Sequence, residues 1–578
     1  MRLAAFLIAV AGGFLLNWAL LPNVTMTNAL TSVVGWGLVL FATPAPALAK
    51  PAARAVRPLL LALCLTAVGC AESMACGGVP SSQGLLTLAV LAMAGLLVAH
   101  GASASDSADA FRPFAVAVVV AGVGGALIGM LQIFAPSWLD NRLAAVLVYP
   151  GRAVGNLGQA NLFGVTQVWA LMALATLFPA PGAARGKASM AALSMVGASL
   201  LLGAVLSGSR LALLGIGLAA GWGAVDRGLA KPTRVALVSS VFVAAALWWS
   251  VDLWAHSNKV GVDLGQHVGS DFSSSRSAIW GRALALIAQQ PWLGVGWGQF
   301  GFASTLTPAP DRTSFVDNAH DLPLQLAAEL GVPLAAAIIA LLAASAWRAA
   351  RGARRRPGGA GVDGRAALTM VSFIGAHMLF EYPLWYAYFL LPAAWMGGLA
   401  LGSSARAAAP EAGSGARADG GLAAAPAEPA RWWRLSGALM AAAGAVAWLS
   451  YLSVAALYQP GPGAAPFVER LGRAEASPLF SHYADHVLAM EAQSPAEVLP
   501  QIQRAARAGF DGKLLLRWAV ALEADAQHDK ARFLAARLRE FKLPGAAPFF
   551  APCDDAGVAV KPFQCLPPSR ALTWRDFR

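Results

Sequence analysis

The chain has 578 residues, of which 57% are hydrophobic and only 12% charged, with a mean hydropathy of +0.58. Soluble domains carry about 25% charged residues, so a soluble class is excluded and an all-α polytopic membrane protein is expected. The net charge of +12 does not point to a nucleic-acid partner, because the basic residues sit in short loops between apolar stretches, where membrane orientation accounts for them. The opening "MRLAAFLIAVAGGFLLNWALLP" has a thin positive region at Arg2 but no small-x-small signal after the apolar run, so it reads as a first span and not a leader. Apolar stretches near the length that crosses a bilayer predict spans near 4–20, 28–48, 57–75, 83–100, 113–134, 162–179, 189–206, 210–225 and 235–251, then 322–347, 366–382, 385–402 and 435–456.

With the N-terminus inside, the basic residues divide unequally. Inside loops hold Lys50, Arg54, Arg57, Arg112, Arg185, Lys187, Arg227, Lys231, Arg234, the cluster "RAARGARRRPGG" (Arg348 to Gly359), Arg406, Arg417, Arg431 and Arg434. Outside segments before the last span hold Arg142, Arg152, Arg210, Lys259, Arg276, Arg282 and Arg312. This follows the positive-inside rule and fixes the expected orientation. Two long outside segments result, 135–161 and 252–321. Residues 403–434 are Ala/Gly/Pro-rich and read as a flexible inside linker before the last span, 435–456. Residues 457–578 then form an outside helical domain. In it "DGKLLLRWAVALEADAQHDKARFLAARLREF" repeats apolar residues at three and four around a polar turn, a weak tetratricopeptide-like hairpin. Cys70 and Cys76 fall in an outside loop and Cys553 and Cys565 in the outside tail, where disulfides can form, whereas Cys64 lies inside a span. No CxxC or His/Cys cluster suggests a metal.

This topology collects unusual polar residues on the outer side. "YPGRAVGNLGQANLFG" (Tyr149 to Gly164) carries Arg152, Asn156, Gln159 and Asn161, and "LSGSRLAL" is a tight turn ending in Arg210. "SSSRSAIWGRALALIAQQPWLGVGWGQF" supplies Arg276 and Arg282, "NAHDLPLQLAAELG" supplies His320 and Asp321, and "HMLFEYPLWYAYF" supplies Glu381, Tyr382 and Tyr386. Arginines at a membrane edge often only snorkel to headgroups, and aromatics there often only form a belt. Asp321, Gln325 and Glu329 recur at i, i+4 and i+8, however, and read as a polar stripe lining a cavity. Guanidiniums facing such a cavity suit a pyrophosphate, and a nearby imidazole can take a proton from an attacking hydroxyl at neutral pH. A pyrophosphate that is membrane-anchored and exposed outside implies a polyprenyl-linked sugar as donor, and glycosyl transfer to a hydroxyl as the reaction.

On "GNLGQAN", "SGSR", "SRSAIWGRALALIAQQPWLGVGWGQF" and "NAHDLPLQLAAELG", across about residues 140–350, the chain resembles the O-antigen ligase/polymerase-like membrane glycosyltransferases. "EYPLWYAYFLLPAAWMGGL" and the helical tail narrow the resemblance to the bacterial protein O-oligosaccharyltransferases of the PglL type. That resemblance implies a GT-C-like helical bundle as the transmembrane catalytic domain (1–402), sited in the bacterial inner membrane with its active site facing the periplasm, and no metal requirement. It implies an undecaprenyl-pyrophosphate-linked oligosaccharide as donor and a Ser or Thr of a pilin or other periplasmic protein as acceptor. By motif it makes His320, Gln159 and Tyr382 catalytic, with Tyr386 the alternative tyrosine, and gives the pyrophosphate to Arg210 and Arg276. Arg152, Asn161, Asp321, Glu381 and Tyr386 complete the expected substrate-binding set, and Asp321 or Glu329 is expected to orient the imidazole. The sequence departs from its relatives at Ala160, where they often have proline after the glutamine. An O-antigen ligase using lipid A–core as acceptor, or a polymerase, shares these motifs. A transporter is disfavoured, because no internal repeat is visible and the polar residues gather at one face.

Overall fold

The thirteen apolar stretches expected to span are largely helical in the computed structural model, whose described residues are 1–105, 107, 109–140, 144–147, 151–178, 186–258, 273–309, 315–355, 361–408, 427–557 and 559–578. Among those residues the chain is helical, without strands. Eight helices are long and apolar enough to cross a membrane: Lys50–Ala75, Ser81–Ala104, Phe111–Phe134, Ala160–Leu177, Ala188–Leu206, Lys231–Asn258, Val332–Arg354 and Ala430–Tyr458. Arg2–Leu15, Met26–Ala42 and Arg210–Val225 are apolar but shorter. Arg142, Arg185, Lys259, Arg312, Arg417 and the linker segment 409–426 lie outside the described residues.

Small residues let the helices approach closely, as packing in lipid requires. A Cβ on Gly101 would fall 2.1 Å from the Trp395 carbonyl oxygen, and one on Gly37 would fall 2.4 Å from the Ala441 nitrogen. Around these contacts Phe6, Trp36, Phe114 and Trp395 interlock with ring centroids 5.1–6.4 Å apart. Edge and offset arrangements of this kind suit the aromatic quadrupole.

Three expectations change. The stretch read as one span at 322–347 is two helices, Leu322–Leu330 and Val332–Arg354. Gly331 separates them with φ of +78°, a conformation that costs other residues, and a Cβ there would lie 2.2 Å from the Trp292 carbonyl oxygen. The polar stripe is engaged by backbone amides. Asp321 caps the short helix by accepting from Leu324 N at 2.8 Å, Gln325 accepts from Ala319 N at 2.7 Å, and Glu329 accepts from Phe300 N at 3.1 Å. Cys70 lies buried inside the Lys50–Ala75 helix and not in a loop, and neither it nor Cys76 is bridged, whereas Cys553 and Cys565 form a disulfide.

The segment 252–321 holds two helices, Ser273–Gln289 and Phe300–Leu306. Their inner faces share one core with the tail. Ile279, Ala283, Leu286, Phe300 and Phe302 cluster with Leu514, Leu515, Trp518, Leu534, Leu538, Trp574 and Phe577. The tail's Gly512–Ala524 and His528–Glu540 helices pack as an antiparallel pair, with Asp511 capping the first. The tail is pinned elsewhere too. Arg507 Nη1 donates to the Gly77 carbonyl at 2.6 Å, Gln299 Nε2 donates to the Arg507 carbonyl at 3.0 Å, and Ser82 Oγ lies 2.8 Å from His482 Nδ1. Burial pushes the His482 ring down to about 4, so it meets Ser82 as a neutral imidazole.

Candidate active site

Four separate segments meet around the Glu381 carboxylate. The first is the turn before the Ala160–Leu177 helix. Buried Gln132 clamps this turn, accepting from Val154 N and Gly155 N at 3.0 Å each and donating to the carbonyls of Ala145 and Gly155 at 2.8 and 2.9 Å. A buried amide with every site used holds one backbone course. Gly155 takes φ of +58° where a Cβ would strike the Phe163 ring. So fixed, the turn presents Arg152, Gln159 and Asn161. Arg152 Nε donates to the Ser207 carbonyl at 2.8 Å, tying this turn to the one before Arg210, and Arg152 Nη2 donates to Asn161 Oδ1 at 3.3 Å.

The second segment is the Asn318–Asp321 corner. His320 has φ of +52°, unusual for a residue with a side chain. Its surroundings over-determine that shape, as a strained functional residue requires. His320 N donates to Asn318 Oδ1 at 2.8 Å, Ala319 N to Gln325 Oε1, and Trp280 Nε1 to the Ala319 carbonyl at 3.1 Å. The third segment brings Arg276 on the Ser273–Gln289 helix, the helix that the tail core supports. The fourth follows His377, where the Val362–His377 helix ends instead of running on to 382 as expected. Leu322 N donates to the Met378 carbonyl at 2.8 Å, lacing the second segment to the fourth.

Glu381 receives Asn161 Nδ2 at 2.8 Å and Arg276 Nη2 at 3.0 Å on Oε1, and His320 Nδ1 at 3.0 Å and Gln159 Nε2 at 3.5 Å on Oε2. Burial pushes its pKa up, but the hydrogen bond and charge of His320, the charge of Arg276 and the Asn161 amide outweigh that, leaving the carboxyl below its usual range. An ionised carboxylate only accepts, so His320 Nδ1 carries a proton towards it, and whenever the ring is neutral Nε2 is the nitrogen with the lone pair. Glu381's side chain is 6% exposed and His320's 24%, so the imidazole is the more accessible of the two. Tyr382 packs edge-on to His320 at 4.9 Å and stacks on Tyr386 at 6.0 Å. Burial, then Tyr386 and Asp317, raise the Tyr382 phenol, so it stays a neutral hydrogen-bonding group.

The arrangement therefore gathers Arg152, Gln159, Asn161, Arg276, His320, Glu381, Tyr382 and Tyr386. Arg210 opens the Arg210–Val225 helix beneath the Ser209 cap, near enough to Arg152 that the two guanidiniums repel. Asp321 serves as a helix cap, and Glu329 lies buried against Phe300, so the carboxylate on the imidazole is Glu381 and neither of the two expected. Gln132, Asn318, Trp280 and His377 were missed. His377 lies against Glu381 and Arg276, and among the described residues both its ring nitrogens lack a hydrogen-bond partner. Its place four residues before Glu381 was the one available signal. Among the described residues no group of three or more His, Cys, Asp and Glu could hold a metal ion.

Residues 195–339, a quarter of the chain, match the family described as O-antigen ligase. That range contains Arg210, Arg276 and His320. The chain is also similar to a general O-oligosaccharyltransferase of Acinetobacter baylyi, 35% identical over 127 residues. The match spans 22% of this chain and 21% of that protein, so the chain covers about a fifth of the relative's length. The resemblance to ligases and PglL-type O-oligosaccharyltransferases read from the motifs holds.

Proposed function

We propose that this chain, which carries an O-antigen ligase domain at residues 195–339, is a membrane O-oligosaccharyltransferase. It moves an oligosaccharide from a polyprenyl pyrophosphate, undecaprenyl in a bacterial inner membrane, to a Ser or Thr hydroxyl of a periplasmic protein such as a pilin. The observation that carries the reading is the convergence of Arg276 and His320 on Glu381 at 3.0 Å each. With Nδ1 engaged by Glu381, Nε2 of His320 accepts the hydroxyl proton as the oxygen attacks the anomeric carbon. The bond from that carbon to the pyrophosphate oxygen breaks, and its electron pair leaves with the lipid pyrophosphate. Arg152, Arg210 and Arg276 outnumber Glu381 and offset the charge that grows on the leaving group, an electrostatic contribution among the largest in catalysis. Gln159, Asn161, Tyr382 and Tyr386 offer neutral hydrogen bonds for sugar or phosphate oxygens. The chemistry draws on no metal.

The match to a family described as O-antigen ligase supports a second reading, in which the acceptor is the sugar hydroxyl of a lipid A–core, with the same donor and site. Purified enzyme with a polyprenyl-pyrophosphate glycan, offered pilin and lipid A–core together, discriminates the two by which acceptor gains mass. A general base is worth about 10²–10⁴-fold, so His320→Ala should lose activity by that factor at matched membrane levels. Normal transfer by that variant removes His320 from the reaction.

A further inference from the structure

At the opposite end of the Val332–Arg354 helix from the site lies a cavity of ≈ 780 Å³ that the reaction does not use. Val332 to Arg351 at ~1.5 Å per residue puts it roughly 30 Å from the Gly331 break. Its walls come from the start of the Lys50–Ala75 helix and the ends of the Val332–Arg354 and Ala387–Ala408 helices. Arg54, Arg57, Arg348, Arg351 and Arg355 line it, and among the described residues no Asp or Glu does. Arg348 Nη1 donates to the Arg54 carbonyl at 3.2 Å, so one basic helix end is tied to the other. Arg351 lies over the Trp347 ring at 5.1 Å, which orients its guanidinium.

We propose that this cavity is a binding site for an acidic phospholipid with two phosphodiesters, of the diphosphatidylglycerol type. The proposal rests on the chain spanning a membrane and not on the reaction assigned to the site. Five arginines without a carboxylate repel one another and need anions, and a planar guanidinium fits phosphate oxygens as a fork. Apart from Ser404 the rest of the lining is apolar. Leu61 and Trp347 are 49% and 61% exposed, and with Leu341 and Pro58 they continue the wall along the spans. A free phosphate would leave that wall in water, whereas acyl chains would cover it. The cavity sits where spans end, the depth of headgroups, and basic pockets between spans on the inner side take such lipids. Simple positive-inside anchoring needs charge alone; it needs neither a concavity nor a guanidinium seated on an indole.

The test compares the full-length protein, purified with its lipids, with an Arg54→Gln/Arg351→Gln/Arg355→Gln variant. An Arg2→Gln/Arg112→Gln/Arg227→Gln variant matches the charge change elsewhere. Native mass spectrometry after exchange into mixed diphosphatidylglycerol and phosphatidylcholine micelles reads the retained lipid. Wild type and the control should retain the two-phosphate lipid, and the cavity variant should retain it at least about tenfold less. Equal retention by the cavity variant, or equal loss by the control, overturns the proposal. So does inorganic pyrophosphate that displaces the lipid at equal concentration, since the site would then serve a soluble anion. If the triple variant does not elute as a folded species, single Arg351→Gln replaces it, and unchanged retention there overturns the proposal as well.

Discussion

Glu381→Gln isolates the charge at the centre of the site while keeping its shape. The glutamine oxygen can still accept from His320 Nδ1, now at 3.0 Å from Glu381 Oε2, so the ring keeps its place and tautomer. What disappears is the negative charge beside the imidazolium that forms as the hydroxyl proton arrives. With charge centres taken roughly 4 Å apart and an effective dielectric of about 20, that attraction is worth ~4 kcal/mol. At ~1.4 kcal/mol per decade this predicts a fall in kcat of roughly a thousandfold. The assay is single-turnover transfer from a labelled lipid pyrophosphate, with thermal unfolding in detergent as a fold control. The same variant deprives Arg276 of its ion pair, so donor binding is measured separately. A folded Glu381→Gln enzyme turning over within about threefold of wild type would refute the claim that this carboxylate stabilises a protonated His320.

Because the Glu381 carboxyl lies below its usual range, its contribution to stability is complete above the unfolded carboxylate value and is lost as pH falls through the depressed folded value. The gap in melting temperature between wild type and Glu381→Gln should therefore be constant above roughly pH 5 and narrow below about 4.3; a gap that widens in acid contradicts the pairing. Trp574 is 1% exposed and donates to Gln289 Oε1 at 3.1 Å, at the end of the helix that starts beside Arg276. Trp574→Ala should cost about 3–5 kcal/mol of tail stability and lower transfer although it lies far from the chemistry; limited proteolysis and initial rates check both. Gly331→Ala should lower thermal stability by more than the ~1–3 kcal/mol of a side chain held at the glycine-only φ of +78° and ψ of 158°, since its methyl also meets the Trp292 carbonyl.

The helices were legible because lipid imposes one rule along the whole chain: apolar residues at bilayer length, with the charged residues between them. That rule places Arg152, Gln159, Asn161, Arg276, His320, Glu381, Tyr382 and Tyr386 at one end of the helices, where the structure does gather them. It says nothing about which carboxylate reaches which ring. Asp321 adjoins His320 in sequence, yet a residue just before "LPLQ" is claimed by the helix, whose first amides need a cap. Glu329 looked like the foot of a stripe because i, i+4 spacing describes an unbroken helix, and Gly331 ends that helix two residues later. Glu381 is 61 positions from His320, and the contacts that bring the two segments together, the Leu322–Met378 backbone bond among them, are invisible to periodicity.

The tail shows the same limit in a different form. Its helical period predicts an outside helical domain, and says nothing of what that domain packs against. The helix starting at Ser273 turns Ile279, Ala283 and Leu286 into the tail's own core. A helix with that face uncovered would expose apolar side chains to water, each worth about 1.5–3 kcal/mol when buried. The tail is thus a structural condition for placing Arg276, and any acceptor that engages it is mechanically continuous with the arginine bound to Glu381. Under the proposed function, an acceptor docked on the tail would be joined to the site through one hydrophobic core and not through a linker.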